Sequence, residues 1–152
     1  AERVLLADPE GAASIEGRGL HGWLLGAAGK LRAARAIDAT LLAADAAAML
    51  DFLHATFGAV ELLRVPAPDG SIKHAEVRID DSVIMIGERP SPMAASIHVY
   101  VPDVDETFRK GLTAGASSVV EPRDLPYGDR SAGLRDPQGN LWWIGTHNGV
   151  GS

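Results

Sequence analysis

The chain has no cysteine in 152 residues, which excludes a disulfide framework, a thiolate metal site and a cysteine nucleophile, and fits a cytoplasmic protein. It has no excess of positive charge. Fourteen Lys and Arg against twenty Asp and Glu give a net charge of -6, so a phosphate backbone is repelled and nucleic acid is not an expected partner. Long apolar runs are also missing. The stretch Trp23–Ala28 is far shorter than the about 20 residues a bilayer span needs, so no membrane partner is expected, and no charged leader with a cleavage site precedes it. Neither G-x-x-x-x-G-K-[ST] nor a strand-linked G-x-G-x-x-G occurs, so nucleotide binding has no support, and no serine sits in a nucleophile elbow. What is present is ordinary for a folded domain: 46% apolar and 22% charged residues, in a length that buries about two thirds of the unfolded chain's surface.

The first 36 residues stand apart. They carry five basic and four acidic side chains, net +1, so residues 37–152 carry -7. Gly17, Gly19, Gly22, Gly26 and Gly29 interrupt any helix, and the segment reads as an irregular arm with a short helix near Gly29–Ala36. Trp23, Leu24 and Leu25 suit packing against a partner subunit.

The remainder contains a repeat. Thr40–Leu62 (TLLAADAAAMLDFLHATFGAVEL) and His98–Val120 (HVYVPDVDETFRKGLTAGASSVV) each read as strand, Asp, amphipathic helix, Gly/Ala stop and strand, offset by 58 residues. Met49, Leu50, Phe52, Leu53 and Phe57 form one helical stripe, and Val104, Phe108 and Leu112 the other. Asp45 and Asp103 stand at the N-cap positions, and Gly58 at a left-handed stop. Strands follow at Val60–Val65, Lys73–Ile79 and Ser82–Gly87, then at Ser118–Glu121, Ser131–Arg135 and Leu141–Thr146. Asp80-Asp81 and Asp136-Pro137-Gln138-Gly139 close the two hairpins, the latter a type I turn by its Pro and Gly. The organisation is an arm (1–36), a first module (37–88), a Pro/Ser-rich linker (89–94), a second module (95–148) and a tail (149–152).

The predicted fold class is α+β: two βαβββ modules forming a curved mixed sheet around a cleft, since a sheet covered by one helix leaves its other face to a second sheet or a ligand. This paired arrangement, with "HAEVRIDDSVIMIGE" and "YGDRSAGLRDPQGNLWWIGTH", resembles the vicinal oxygen chelate superfamily, in its glyoxalase/bleomycin-resistance, PhnB-like branch. The resemblance covers residues 37–147. It implies a homodimer, because such proteins commonly complete their site across a two-fold axis. It also implies four metal-holding positions on the first and last strand of each half, which fall here on Asp38 and Ser96, Met85 and Trp143. Of these only Asp38 is an anionic oxygen donor, and the indole of Trp143 cannot ligate, so no metal and no other cofactor is expected there.

Strand alternation then selects the cleft. Pairing Arg78 with Val83, Glu76 with Met85 and His74 with Gly87, and in the second hairpin Leu134 with Leu141 and Ala132 with Trp143, lines it with Leu42, Val83, Met85, Leu134, Leu141 and Trp143. Thr40, His74, Glu76, Ser96, His98 and Tyr100 supply polar groups, and Tyr127 a lid. Apolar walls with a few directed polar groups suit a small organic ligand, and Trp143 and Tyr100 offer stacking surfaces. The function expected is metal-free binding of a drug or metabolite. The alternative is a divalent-metal lyase, isomerase or dioxygenase, with a displaced centre at His74, Glu76 and His98. A third is metal-free acid–base chemistry, with Glu76 or Asp38 as base and His98 as acid. Asp129 and Arg130 read as a surface pair, His54 as solvated or capping, and His147 as bonded to backbone.

Overall fold

Both helices start where the sequence places a cap. In α1 (Ala46–Phe57) the Asp45 carboxylate accepts from the Ala48 amide at 2.9 Å, and in α2 (Val104–Thr113) Asp103 does the same for Glu106 at 3.0 Å. Gly58, at φ 66°, ends α1 in the left-handed conformation and returns its amide to His54. The computed structural model describes residues 24–25, 31–32 and 38–148, in two compact units, Ala1–Asp38 and Ala39–Ser152. No helix among the described residues is long and apolar enough to cross a membrane.

In the first unit, β1 (Leu24–Leu25) pairs antiparallel with β2 (Leu31–Arg32). Leu31 and Arg32 are therefore strand, not part of the helix expected near Gly29–Ala36. Their backbone pairs in the ladder with Leu24 and Leu25, which takes up groups a helix would use for itself. The rest of the arm and the tail lie outside the described residues.

The second unit holds the repeat. The first module runs β3 (Ala39–Ala43), α1, β4 (Val60–Pro66), β5 (Ile72–Ile79) and β6 (Ser82–Glu88). The second runs β7 (Ser96–Tyr100), α2, β8 (Ser117–Asp124), β9 (Asp129–Arg135) and β10 (Leu141–His147). The strands form two four-stranded mixed sheets, ordered β3-β6-β5-β4 and β7-β10-β9-β8, with the first and last strand of each module parallel. This is the expected α+β architecture of paired βαβββ modules. Thr40 pairs with Met85 and His98 with Trp143, so the 58-residue offset holds for the parallel strand pair of each sheet.

The helices pack on each other and on the inner faces of both sheets, giving one shared core of Leu41, Met49, Leu53, Val77, Ile86, Phe108, Leu134, Trp142 and Ile144 among others. The buried stripe of α2 is Val104, Thr107, Phe108 and Gly111. Leu112, expected on it, is 41% exposed, because Gly111 takes the inward position and lets the helix approach Leu134. Two contacts tie the modules across this core. The Gln138 side-chain oxygen accepts from the Ala44 and Asp45 amides ahead of α1, and the Phe57 and Trp142 ring centroids lie 5.1 Å apart.

The first hairpin has the expected register, with Arg78 opposite Val83 and Glu76 opposite Met85. The second does not. Leu134 pairs with Trp142, Gly133 with Trp143 and Ala132 with Ile144, one residue from the expected register. The type I turn is present, closed by Gly139 N–H to Asp136 O at 3.0 Å. However, Gly139, at φ 95°, is a third loop residue, and Asp136 donates its amide to Asn140 O rather than pairing with Gly139. The hairpins therefore differ by one residue, and a one-residue slip moves side chains to the other face.

Candidate functional site

Each sheet has an outer face, turned away from the shared core, and the parallel pairings define both. On the first sheet Thr40, Leu42, Val83, Met85, His74 and Glu76 share this face, since their neighbours Leu41, Ala43, Ile84, Ile86, Ala75 and Val77 belong to the core. On the second sheet the face carries Ser96, His98, Tyr100, Leu141 and Trp143. Leu134, expected on the cleft, is fully buried in the core instead, as the corrected register requires. The predicted site residues thus form two groups on separate sheets. His74 and Glu76 are on one and His98 on the other, and among the described residues no three His, Asp or Glu side chains gather where they would hold a metal ion. Asp38, in the first unit, is half-buried, with one carboxylate oxygen shielded and without a hydrogen-bond partner among the described residues. Tyr127 lies in the turn before β9 and is 67% exposed.

The second face is a platform of rings made possible by glycine. A Cβ on Gly133 would lie 2.7 Å from Trp143 Cζ3 and 3.0 Å from Cε3, so its absence lets the indole rest against β9. A Cβ on Gly145 would lie 3.0 Å from His98 Nε2 and 3.5 Å from Tyr100 Cε1. His98 and Tyr100 rest over β10 as a tilted pair, with ring centroids 4.7 Å apart. Trp143 donates Nε1–H to Ser96 Oγ at 3.2 Å, which fixes the rotation of the indole. The sequence offers both the aromatic side chains and Gly133, a turn or close-approach glycine; Gly145, also on a strand, carries the same signal and is the one missed.

The first face differs. Glu76 is fully buried, whereas Thr40 is exposed and Met85 and Leu42 are half-buried. Val83 is 3% exposed but lies on this outer face beside Met85, not in the central core.

Other side chains are accounted for structurally. Arg130 does not pair with Asp129. It grips Asp105 of α2 through Nε and Nη2, at 2.7 and 2.9 Å, and reaches Asp124 with Nη1 at 3.0 Å. That guanidinium holds the Asp105 carboxyl below the usual carboxylate range. Asp129 instead meets His147 Nδ1 at 2.7 Å, so His147 bonds a carboxylate rather than backbone. His54 Nδ1 lies 3.1 Å from the Ala59 carbonyl, at the end of α1.

Comparison with known proteins bears on this arrangement. The sequence profile of the Glyoxalase/Bleomycin resistance protein/Dioxygenase superfamily matches residues 36–144. The chain belongs to that superfamily. It is 36% identical over 124 residues to the uncharacterized proteins Mb0911c of Mycobacterium bovis and Rv0887c of Mycobacterium tuberculosis, the match covering 72% of this chain and 82% and 73% of theirs. Among solved structures it is similar to TioX from Micromonospora sp. ML1, at 32% identity and TM-score 0.65, over 73% of this chain and 97% of that one. It also shares the fold of a glyoxalase/bleomycin resistance protein/dioxygenase family enzyme from Burkholderia phytofirmans PsJN, at 20% identity and TM-score 0.61, over 73% and 99% of the two chains.

The superfamily's metal can be tested against the residues here. At the four positions the resemblance assigns, Ser96 Oγ is occupied by the Trp143 indole N–H, Trp143 has no lone pair to offer, and Met85 presents a soft thioether. One carboxylate, Asp38, is the sole anionic donor. A catalytic zinc or iron centre takes about three protein ligands of nitrogen or oxygen type, and this set does not supply them.

Proposed function

We propose that the protein is a metal-free binder of a small, flat organic molecule, and that the ring platform of the second sheet takes the ligand. The Ser96–Trp143 hydrogen bond carries this reading. It joins the two positions of the second module where a metal ligand is expected, and turns them into a fixed stacking surface. Tyr100, 65% exposed, and His98 extend the surface, and Gly133 and Gly145 keep it flat. Offset stacking on such a surface is worth about 0.5–1.5 kcal/mol per ring beyond the area buried.

The two outer faces lie on separate sheets, so a closed cleft needs a second chain. In this reading the protein is a homodimer, in which the first-sheet face of one subunit (Thr40, Leu42, His74, Glu76, Met85) covers the platform of the other and Tyr127 borders the opening. Sequestration of a drug or metabolite, as in antibiotic resistance, is the corresponding role. The cysteine-free composition agrees with a cytoplasmic setting, and the "YGDRSAGLRDPQGNLWWIGTH" stretch with the PhnB-like branch.

A thermal-shift screen against polycyclic aromatic and peptide antibiotics tests the reading, with metal analysis and light scattering on the same preparation. A ligand that raises Tm in the wild type and not in Trp143→Ala supports it. No shift across the panel, a monomer at micromolar concentration, or stoichiometric zinc, nickel, manganese or iron in protein purified without added metal would overturn it.

A further inference from the structure

A second concavity lies on the opposite, helix side of the first sheet. Its volume is about 340 Å³, and it is lined by Leu50, Asp51 and His54 of α1, Ala59 just ahead of β4, Glu61 and Arg64 of β4, and Val77 of β5. A β-bulge builds it. Glu61 pairs with Val77 and Arg64 with Ala75, with a register shift between Glu61 and Leu63. In a regular strand residues three apart point to opposite faces; the extra residue turns Arg64 to the same side as Glu61, toward α1. Leu50 and Val77, 5% and 2% exposed, make an apolar floor, and the charged groups stand on the rim.

The rim is electrically specific. Arg64 spends Nε and Nη2 on Glu61, at 2.6 and 3.1 Å, so these two charges cancel locally. Asp51 accepts no hydrogen bond among the described residues and lines the same pocket as Arg64. A carbonyl only accepts, so the contact with Ala59 O places a proton on His54 Nδ1. Two carboxylates and one guanidinium, His54 apart, leave a net charge of -1 above an apolar floor, with Asp51 as the open acceptor. We infer that this pocket binds a small organic monocation, an ammonium on an apolar or aryl body, whose charge meets Asp51 and whose body lies on Leu50 and Val77.

The probe is benzylammonium, titrated into ¹⁵N-labelled full-length protein and followed by amide shifts, with benzoate and benzyl alcohol as matched anionic and neutral controls. Saturable shifts at residues 50–54, 59–64 and 77 with the ammonium alone are expected. Asp51→Asn weakens binding by about fivefold or more, as loss of one near charge at a surface requires. Arg64→Gln, which removes the only cation, strengthens it, an effect of opposite sign that loss of structure would not produce. Equal shifts from benzoate or benzyl alcohol, no shifts at about 10 mM probe, near the weak limit for so small a ligand, or an unchanged Kd in Asp51→Asn would overturn the inference. The pocket is on the other side of the sheet from the first-sheet outer face, so such a result leaves the platform reading intact.

Discussion

Asp136→Ala is expected to be among the most damaging single changes in the second module. Asp136 is 3% exposed and accepts four hydrogen bonds: from the Gln138 and Asn140 amides at 2.8 and 3.0 Å, from Asn140 Nδ2 at 3.0 Å, and from Trp142 Nε1 at 2.8 Å. Truncation strips the acceptor from a fully buried indole N–H and from an amide group of Asn140, which is 1% exposed. A buried donor left unsatisfied costs about 1–3 kcal/mol, so two such donors together cost about 2–6 kcal/mol. That is a large part of the about 5–15 kcal/mol that holds a typical domain folded. Asp136→Asn keeps the shape but offers two donors where one oxygen accepted. Whichever way the amide turns, it sets N–H against N–H, and a loss of about 2 kcal/mol or more is expected there too. Urea unfolding followed by tryptophan fluorescence measures both. A loss under about 1 kcal/mol in both variants, with an unchanged m value, would refute the hydrogen-bond account of this turn.

Three further outcomes follow from the same geometry. Gly111→Ala gains about 1 kcal/mol of helix propensity, but its Cβ would clash with Leu134 Cδ1 in the core. Overpacking costs about 1–3 kcal/mol, so net destabilisation is expected in denaturant melts, and a stabilised variant would contradict it. Gly133→Ala displaces the Trp143 indole from β9 and from Ser96, so ligand-dependent thermal shifts fall while stability changes by only about 1 kcal/mol or less; full ligand response in this variant would count against the platform. The Arg130–Asp105 pair sets a pH signature. Because the folded Asp105 pKa is depressed, its contribution is present above the ordinary aspartate value of about 3.9 and disappears as pH falls through the lower folded value. The Tm difference between wild type and Arg130→Gln should therefore shrink in acid, and a constant gap from neutral pH to about pH 3 would rule the pair out as its source.

Much of the fold was legible because duplication wrote it twice. Asp45 and Asp103 announced the helix starts, and the spacing of 58 carried the pairing of Thr40 with Met85 onto His98 with Trp143. The offset breaks where a loop changed length. Val77 corresponds to Leu134, 57 residues on, because α1 runs longer than α2 and the second hairpin holds the additional residue. Turn composition identified the type I turn but not Gly139 as a third loop member. That single residue exchanged Leu134 from the outer face to the core. Trp143, Met85, Ser96 and His98 lie on the outer faces, as alternation along their own strands predicts independently of that loop. Whether His74 and Glu76 meet His98 was not legible, since it depends on how two sheets pack, which no local pattern encodes. Likewise, the i,i+3 pairing of Glu61 with Arg64 on a strand needs a bulge, and no glycine marks it.

The grip of Gln138 on the start of α1 makes the duplication indivisible. One repeat supplies a side-chain acceptor for the Ala44 and Asp45 amides just ahead of the other repeat's helix, and Asn140 of the same turn reaches the sulfur of Met49 at 3.7 Å. A fragment cut at the linker would expose half of a common interior and leave the Ala44 and Asp45 amides without the Gln138 oxygen. The two halves share one core, and they should melt in a single cooperative transition rather than as two.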